Sequence, residues 1–303
     1  MAQASSQGPP SPRTAGEVLD RSHRFLEQRG LPAARREAEL LVAHALGLDR
    51  LGLYLVLDRP VDQAELDAAR EAVLRRSKGE PAAYVLGRRE FYGRPFVVRP
   101  GVLIPRPETE LLVDRARELV EDLTVAGVEA PRVADLGTGS GCIALTLALE
   151  CPAVRVLAVE RSEAAAAVAA ENAEALEVPR ERFGLRRGDA FEVLAEVAPG
   201  GVDLLVSNPP YVDPDDRTAL AEDVRAHEPA EALFAPAGDP DHWARRLLEA
   251  RGRLLAPGGR ALVELGHDQA PRLEALAARA GVTVRVHPDL EGIPRLLEFG
   301  REG

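Results

Sequence analysis

Apolar residues first recur along the chain at helical spacing. Val18, Leu19, Phe25 and Leu26 follow Thr14 and Glu17, a pattern that predicts a capping box and a helix running to Gly30. Pro32 suits the first turn of a second helix, in which Ala38, Leu40, Leu41, Ala45 and Leu46 share a face before Gly47 ends it. Further helical patterns cover 48–57 and 61–77, so 16–78 reads as a small helical bundle preceded by a polar, Pro/Ser-rich tail over 1–15 that is expected to be disordered. Over 79–105 the period changes: Tyr, Phe and Val alternate between Gly and Pro, which predicts a hairpin linking two domains. The remainder, 106–303, is assigned to a second domain in which short apolar strands alternate with helices. RVADL precedes a helix over 142–150, VRVLAVE precedes one over 162–176, and FGLRRGD and VDLLVS continue the rhythm of a parallel, doubly wound α/β sheet. A helix around 241–255, the strand GRALVEL, a helix near 268–280 and the terminal strands VTVRVHP and RLLEF complete the expected order.

Composition narrows the chemistry. At 303 residues and 46% hydrophobic the chain can bury two cores, and its net charge of -11 removes diffuse attraction to phosphate backbones as a source of affinity. No direct nucleic-acid partner is expected. Cys142 and Cys151 both lie in an apolar run and read as buried, reduced thiols. His23, His44, His227, His242, His267 and His287 have no metal-ligand spacing, so no metal is expected; only His227, near the reacting centre described next, has a position worth noting. Trp243 reads as a core residue or a loop anchor. With no apolar stretch long enough for a signal peptide or a membrane span, a cytoplasmic monomer is expected.

Between the first strand and first helix of the second domain lies Asp135-Leu136-Gly137-Thr138-Gly139-Ser140-Gly141. Bare backbone there can approach a ligand, and helix-end amides point at it. The Gly-x-Gly-x-Gly spacing departs from the dinucleotide fingerprint, which has two residues before its third glycine. Glu160 ends the second strand, where a carboxylate can accept both hydroxyls of a ribose. Asp189, followed by Ala190, ends the third, where an adenine edge would lie. Loop, carboxylate and Asp189 at successive strand ends favour S-adenosylmethionine.

Asn208, Pro209, Pro210 and Tyr211 follow directly on VDLLVS, at the carboxyl edge of the expected sheet. The chemistry they suit is methyl transfer to a planar nitrogen whose lone pair must be turned toward the methyl group. Asn208 can accept one N–H through its side-chain oxygen, the Pro209 carbonyl on a stiffened turn can accept the second, and Tyr211 can stack on the flat group. An ordinary Asn-Pro-Pro turn is the plain alternative, and its position after the cofactor loop argues against it.

With these motifs the chain resembles the HemK/PrmC family, protein-(glutamine-N5) methyltransferases that modify the Gly-Gly-Gln motif of class I peptide chain release factors. The resemblance extends over nearly the whole chain. Besides DLGTGSG and NPPY it rests on Tyr84 to Gly87, Phe91 to Gly93, the characteristic VLIPRPETELLV from Val102 to Val113, then Glu228, Pro229, Ala232 and Leu233, and Glu264, Leu265, Gly266 and Gln269. It implies a Rossmann-like methyltransferase domain with a seven-stranded sheet behind a helical substrate-docking domain. Cofactor contacts are implied at Gly137, Thr138, Gly139, Ser140 and Gly141, beside Asp135, and at Glu160, Asp189, Ala190 and Asn208. The substrate glutamine would meet Asn208 to Tyr211. For Arg106, Pro107 and Glu108 it implies an active-site wall; a linking turn with solvated charges is the other reading.

Three places depart from the family pattern. Glu160 stands for the commoner aspartate, Ala190 stands where a bulkier residue often flanks the adenine, with Phe191 available to cover the ring, and APAGDPDHWARRLL differs from the usual run after Ala232-Leu233. A glutamine methyltransferase acting on a large-subunit ribosomal protein shares the same catalytic residues. A DNA adenine N6-methyltransferase is a further alternative, since an exocyclic amino group is also a planar nitrogen, but the acidic charge and the lack of a separate basic segment oppose it.

Overall fold

The computed structural model describes residues 14–196 and 201–301, and the chain forms two compact units, Met1–Gly87 and Arg88–Gly303. Most of the tail expected over 1–15 lies outside the described residues, whereas Thr14 and Ala15 are part of a helix start.

In the first unit, α1 (Ala15–Gln28) begins with the expected capping box: Thr14 Oγ1 accepts the Glu17 N–H and Glu17 accepts the Thr14 N–H. The second helix, α2 (Ala34–Ala45), starts two residues after Pro32 because Ala33 takes a left-handed conformation at its cap. Short α3 (Arg50–Leu55) and long α4 (Gln63–Ser77) follow, the latter with its own box from Asp62 and Glu65. Leu19, Leu26, Leu41 and Leu53 are fully buried between these helices. Glu39 is buried in this core, and its carboxylate is held below the usual range against burial by hydrogen bonds from Tyr54, Arg50 and Arg35. The predicted linker hairpin begins instead with a helix, α5 (Ala82–Leu86), closed by Gly87 in the left-handed conformation.

The hairpin proper, β1 (Arg88–Phe91) and β2 (Arg94–Val97), is shorter than expected and opens the second unit. Phe91 and Phe96 pack edge to face, ring centroids 5.9 Å apart, inside the core of that unit. A 3-10 turn over Pro107–Thr109 leads into α6 (Glu110–Val125). Then come β3 (Arg132–Leu136), α7 (Cys142–Glu150), β4 (Arg155–Glu160), α8 (Glu163–Ala175), β5 (Phe183–Arg187), α9 (Ala190–Glu196) and β6 (Val202–Ser207). Short α10 (Glu222–His227) and α11 (Ala230–Leu233), then α12 (His242–Leu254), β7 (Leu255–Glu264), α13 (Ala270–Arg279), β8 (Val284–Pro288) and β9 (Pro294–Gly300) complete the chain.

The seven strands β3 to β9 form one sheet in the order β5-β4-β3-β6-β7-β9-β8. All neighbours are parallel except β9, which runs antiparallel to both β7 and β8. Helices α6 and α7 cover one face and α9, α12 and α13 the other, so the central strands are buried on both sides and read as continuous apolar runs. The fold is the doubly wound, mostly parallel α/β class that the periodicity predicts. From β3 the chain winds outward through β4 to β5 and then returns to β6 on the other flank of β3. That reversal opens a crevice at the carboxyl ends of β3 and β6, where such sheets hold ligands. No helix among the described residues is long and apolar enough to cross a membrane.

Candidate active site

The glycine loop is tied down from three directions. Gly137 and Thr138 donate their N–H groups to the Val159 carbonyl at 2.9 and 3.1 Å, docking the loop on the end of β4. Buried Asn172 of α8 donates to the carbonyls of Ser140 and Val97 at 2.9 and 3.1 Å, tying the loop to the end of β2. Asp135 accepts from the Thr138 hydroxyl at 2.6 Å and from the Ala144 N–H at 3.2 Å, beneath the loop. Burial pushes its carboxyl up to about 7, with those two hydrogen bonds pulling the other way. Gly141, at φ +82, caps α7 where a Cβ would come 2.9 Å from Leu145 Cδ1. Only glycine combines that backbone angle with that clearance.

One cavity runs along the strand ends. Gly137, Thr138, Gly139, Ser140, Glu160, Asp189, Ala190, Asn208, Pro209, Pro210 and Arg106 all line it, which brings most of the sequence-predicted site residues together. Glu160 is fixed by backbone donors, Gly139 N–H at 2.9 Å and Ser162 N–H at 2.8 Å, each on a different oxygen. A carboxylate oxygen has two lone pairs, so each retains acceptor capacity toward the cavity. Asp189 caps α9, its Oδ1 accepting from Phe191 and Glu192 at 2.9 and 3.2 Å.

Four expected contacts fall elsewhere. Asp135 is fully buried under the loop and holds it from below; Gly141 sits behind it as the α7 cap; Glu108 is exposed on the 3-10 turn; the Tyr211 ring packs on Gly266, where a Cβ would lie 3.1 Å from its Cδ2. None of the four lines the cavity. Arg106 does, but its guanidinium is engaged: Nη2 donates to Glu228 Oε1 at 2.6 Å, and the other oxygen of that buried carboxylate accepts the Ile104 N–H at 3.1 Å. The pair fastens the 101–106 segment beside the cavity. It makes Arg106 a structural cation first.

At the reacting end, Asn208 Nδ2 donates to Thr109 Oγ1 at 3.2 Å. Asn208 lies beside Glu264 across the β6–β7 ladder, whose last pair is Ser207 with Val263. Glu264 is buried, its Oε2 has no partner, and burial pushes its carboxyl up to about 7 while a hydrogen bond with Thr109 pulls it down. Burial and then the Glu264 charge push the Tyr211 phenol up to about 12. The roles of Thr109 and Asn172 escaped sequence reading because each is set by one hydrogen bond to a residue far away in the chain. Trp243 and Leu247 were missed too: both line the cavity, from the very segment that departs from the family pattern. The signal was there only in hindsight of α12, since an aromatic four residues before a leucine places both on one helical face. His227 does not line the cavity.

The chain matches the PrmC N-terminal domain over residues 17–87 and the methyltransferase small domain over residues 110–239. A release factor glutamine methyltransferase of Geobacter sulfurreducens is 42% identical over 272 residues, 88% of this chain and 89% of the relative. The enzymes of the same name from Bordetella pertussis and Chlorobaculum tepidum are 44% and 40% identical, over 90% and 92% of this chain and 96% and 94% of theirs. Among solved structures the chain is similar to the catalytic domain of hMettl16 in complex with MAT2A 3'UTR hairpin 6, at a TM-score of 0.52 and 16% identity, covering 79% of this chain and 82% of that one. At that identity the likeness speaks for the fold alone. The protein is an S-adenosylmethionine-dependent methyltransferase, and by these relatives it belongs to the family of release factor glutamine methyltransferases.

Proposed function

We propose that this protein transfers a methyl group to the side-chain amide nitrogen, N5, of the glutamine in the Gly-Gly-Gln motif of class I peptide chain release factors, modulating translation termination. One observation carries the reading: Asn208, Pro209 and Pro210 border the same cavity as the glycine loop and Glu160. A planar nitrogen held at the first group lies within reach of a ligand held at the second.

The cavity suits the cofactor on structural grounds. Gly137 and Gly139 have positive φ and nothing within 4 Å of where a Cβ would stand, so bare backbone faces the space. Glu160 offers acceptors for a ribose, and Asp189 an acceptor near the base. When bound, S-adenosylmethionine supplies a methyl group on a positively charged sulfur that is already a good leaving group.

This chain's residues then act by orientation. Thr109 occupies the Asn208 Nδ2 donor, which leaves Asn208 Oδ1 to accept one N–H of the substrate amide, while the Pro209 carbonyl accepts the other. The two bonds hold the amide plane, and its nitrogen lone pair, toward the methyl group. Tyr211, packed on Gly266 outside the cavity, braces the turn that carries Pro209 and Pro210. Glu160 and Asp189 position the cofactor, and Asp135 and Gly141 keep the loop in shape. The segment around Arg106 completes the wall through Glu228. The helical unit, with Leu51, Tyr54, Leu55 and Leu74 exposed, supplies the docking surface for the protein substrate.

An adenine amino group on DNA is served by the same four residues, but a net charge of -11 disfavours a duplex. A ribosomal-protein glutamine would need the same chemistry with another docking surface. Methyl transfer from labelled S-adenosylmethionine to a purified class I release factor tests the proposal, a Gly-Gly-Ala variant of that factor serving as control.

A further inference from the structure

Asn172 lies fully buried on α8, and its side-chain amide reaches two separate parts of the fold. Its Oδ1 accepts the Val97 N–H at 2.7 Å, while Nδ2 donates to the Val97 carbonyl at 3.1 Å and to the Ser140 carbonyl at 2.9 Å. Both donors and the acceptor are engaged, which fixes the orientation of the amide: turned over, its oxygen would face two carbonyls. Toward Val97 it makes the pair of bonds that a neighbouring strand would make, on a β2 whose strand partner is β1 alone. Toward Ser140 it holds the glycine loop.

The same helix meets both partners elsewhere along its length. Its start is held by Glu160, whose two oxygens accept from Ser162 and from Gly139 of the loop. Ala169 lies 3.4 Å from where a Cβ of Gly141 would stand. On the hairpin side, Glu171 pairs with Arg99 at 2.6 Å, and Ala164 lies 3.3 Å from where a Cβ of Gly101 would stand. One helix therefore backs both the loop that faces the cofactor and the strand end that leads into the 101–106 wall. At the start of the hairpin, Arg88 follows directly on Gly87, the last residue of the helical unit.

A buried donor left without an acceptor is costly. When the glycine loop loosens, the Nδ2 hydrogen that held Ser140 loses its partner; the amide turns to find another, and its bonds to Val97 are lost with it. A ligand that keeps the loop in place therefore keeps the strand end in place, and linkage makes the relation reciprocal. Resting on the function given above for the identity of the second ligand, we propose that Asn172 is a positioning residue that couples cofactor binding to protein-substrate binding. Occupancy of the glycine loop stiffens β2 and raises affinity for the release factor, and the bound release factor raises affinity for the cofactor by the same factor.

Hydrogen exchange of the full-length protein, with and without S-adenosylhomocysteine, reads the coupling in the absence of any protein substrate. The reporter is the hairpin strand end, 94–99, which does not line the cavity. S-adenosylhomocysteine should slow exchange there about tenfold in wild type, within the usual range of coupling between sites. It should have no effect there in Asn172→Asp, which keeps the shape and the acceptor for Val97 but loses both donors, even at concentrations that protect the glycine loop. Lowering the pH until that buried carboxyl is protonated returns one donor, and protection of 94–99 should return with it. Asn172→Ser, uncharged and too short to span the two partners, should lose the effect at every pH. Affinity for a class I release factor should rise about tenfold with S-adenosylhomocysteine in wild type and less than about twofold in either variant; a merely structural asparagine would lower affinity and melting temperature and leave that ratio intact. Exchange in 94–99 that ignores S-adenosylhomocysteine in wild type, or slows equally in wild type and Asn172→Ser, overturns the coupling. A release factor that fails to bind wild type overturns the substrate reading instead, and the exchange result still decides the role of Asn172.

Discussion

Asn208 and Thr109 are joined by a hydrogen bond of 3.2 Å across 99 positions of sequence, and it fixes which end of the Asn208 amide faces the cavity. An asparagine side chain can turn over with little cost unless one of its ends is held. Thr109→Val keeps the shape and removes the acceptor. Its kcat should fall about 10- to 100-fold, as expected when a positioning contact is lost, with cofactor affinity unchanged. Thr109→Ser should keep most of the rate. Equal losses in both variants would point to packing by the threonine methyl instead.

Glu264 gives the same arrangement a pH dependence. Burial raises its carboxyl to about 7, so it is protonated below that pH and ionised above it; Thr109, Glu108, Arg295 and Arg106 act on it. An ionised carboxylate can only accept, so the Thr109 hydroxyl must donate to it and turn its lone pairs toward Asn208. The rate should therefore rise as pH increases through about 7, and Glu264→Gln should remove that rise. Asp135, raised to about 7 as well, titrates in the same window and remains intact in that variant. A pH profile of kcat unaltered by Glu264→Gln would reassign the step.

Arg106 and Glu228 form an ion pair in which the carboxylate is 1% exposed and the guanidinium 30%. Arg106→Ala leaves the buried charge without its cation and should cost about 2–4 kcal/mol of stability, near the lower end for a fully buried pair because Arg106 is partly solvated. Denaturant melts of Arg106→Ala, Glu228→Ala and the double variant decide between this reading and a substrate role. Strong coupling between the two single losses is the expected result. A large rise in the KM for the protein substrate without loss of stability would give Arg106 a substrate contact instead.

The glycine loop offers a contrast within one turn. Gly141→Ala meets Leu145 and a disfavoured φ together and should lose about 1–3 kcal/mol of stability. Gly139→Ala has open space at φ +58, so it should be only mildly destabilised, by about 1 kcal/mol. Its methyl group would instead project where the cofactor is placed. Calorimetric loss of cofactor binding in Gly139→Ala with near-normal melting is the expected signature.

How much of this was readable beforehand depended on the range of the interaction. The loop from Gly137 to Gly141 and the turn from Asn208 to Tyr211 are written in adjacent residues, and their placement at the ends of β3 and β6 follows from alternating strands and helices. The doubly wound class was equally open to the periodicity and the seven strands were implied by the family resemblance, whereas the strand order, with β6 returning beside β3, is set by long-range pairing that no local pattern encodes. Helix α5 was read as part of a hairpin because a five-residue apolar run has no period to distinguish it. Asp135 looked like a ligand-facing carboxylate, yet its neighbours Thr138 and Ala144 draw it beneath the loop. Arg106 could not be assigned without Glu228, 122 positions away. Trp243 was hidden for another reason: its segment lacks the family's pattern, so only the packing of α12 against α9 through Phe191 brings it to the cavity.

The most direct measurement is a methylation assay with labelled S-adenosylmethionine, a class I release factor carrying Gly-Gly-Gln or Gly-Gly-Ala, and wild-type protein or Asn208→Ala. Label should enter the Gly-Gly-Gln factor alone, and Asn208→Ala should transfer it about 10²- to 10³-fold more slowly, the loss typical of one oriented polar group at a reacting centre. Label on the Gly-Gly-Ala factor, or an undiminished rate in Asn208→Ala, would contradict methylation of that glutamine at Asn208.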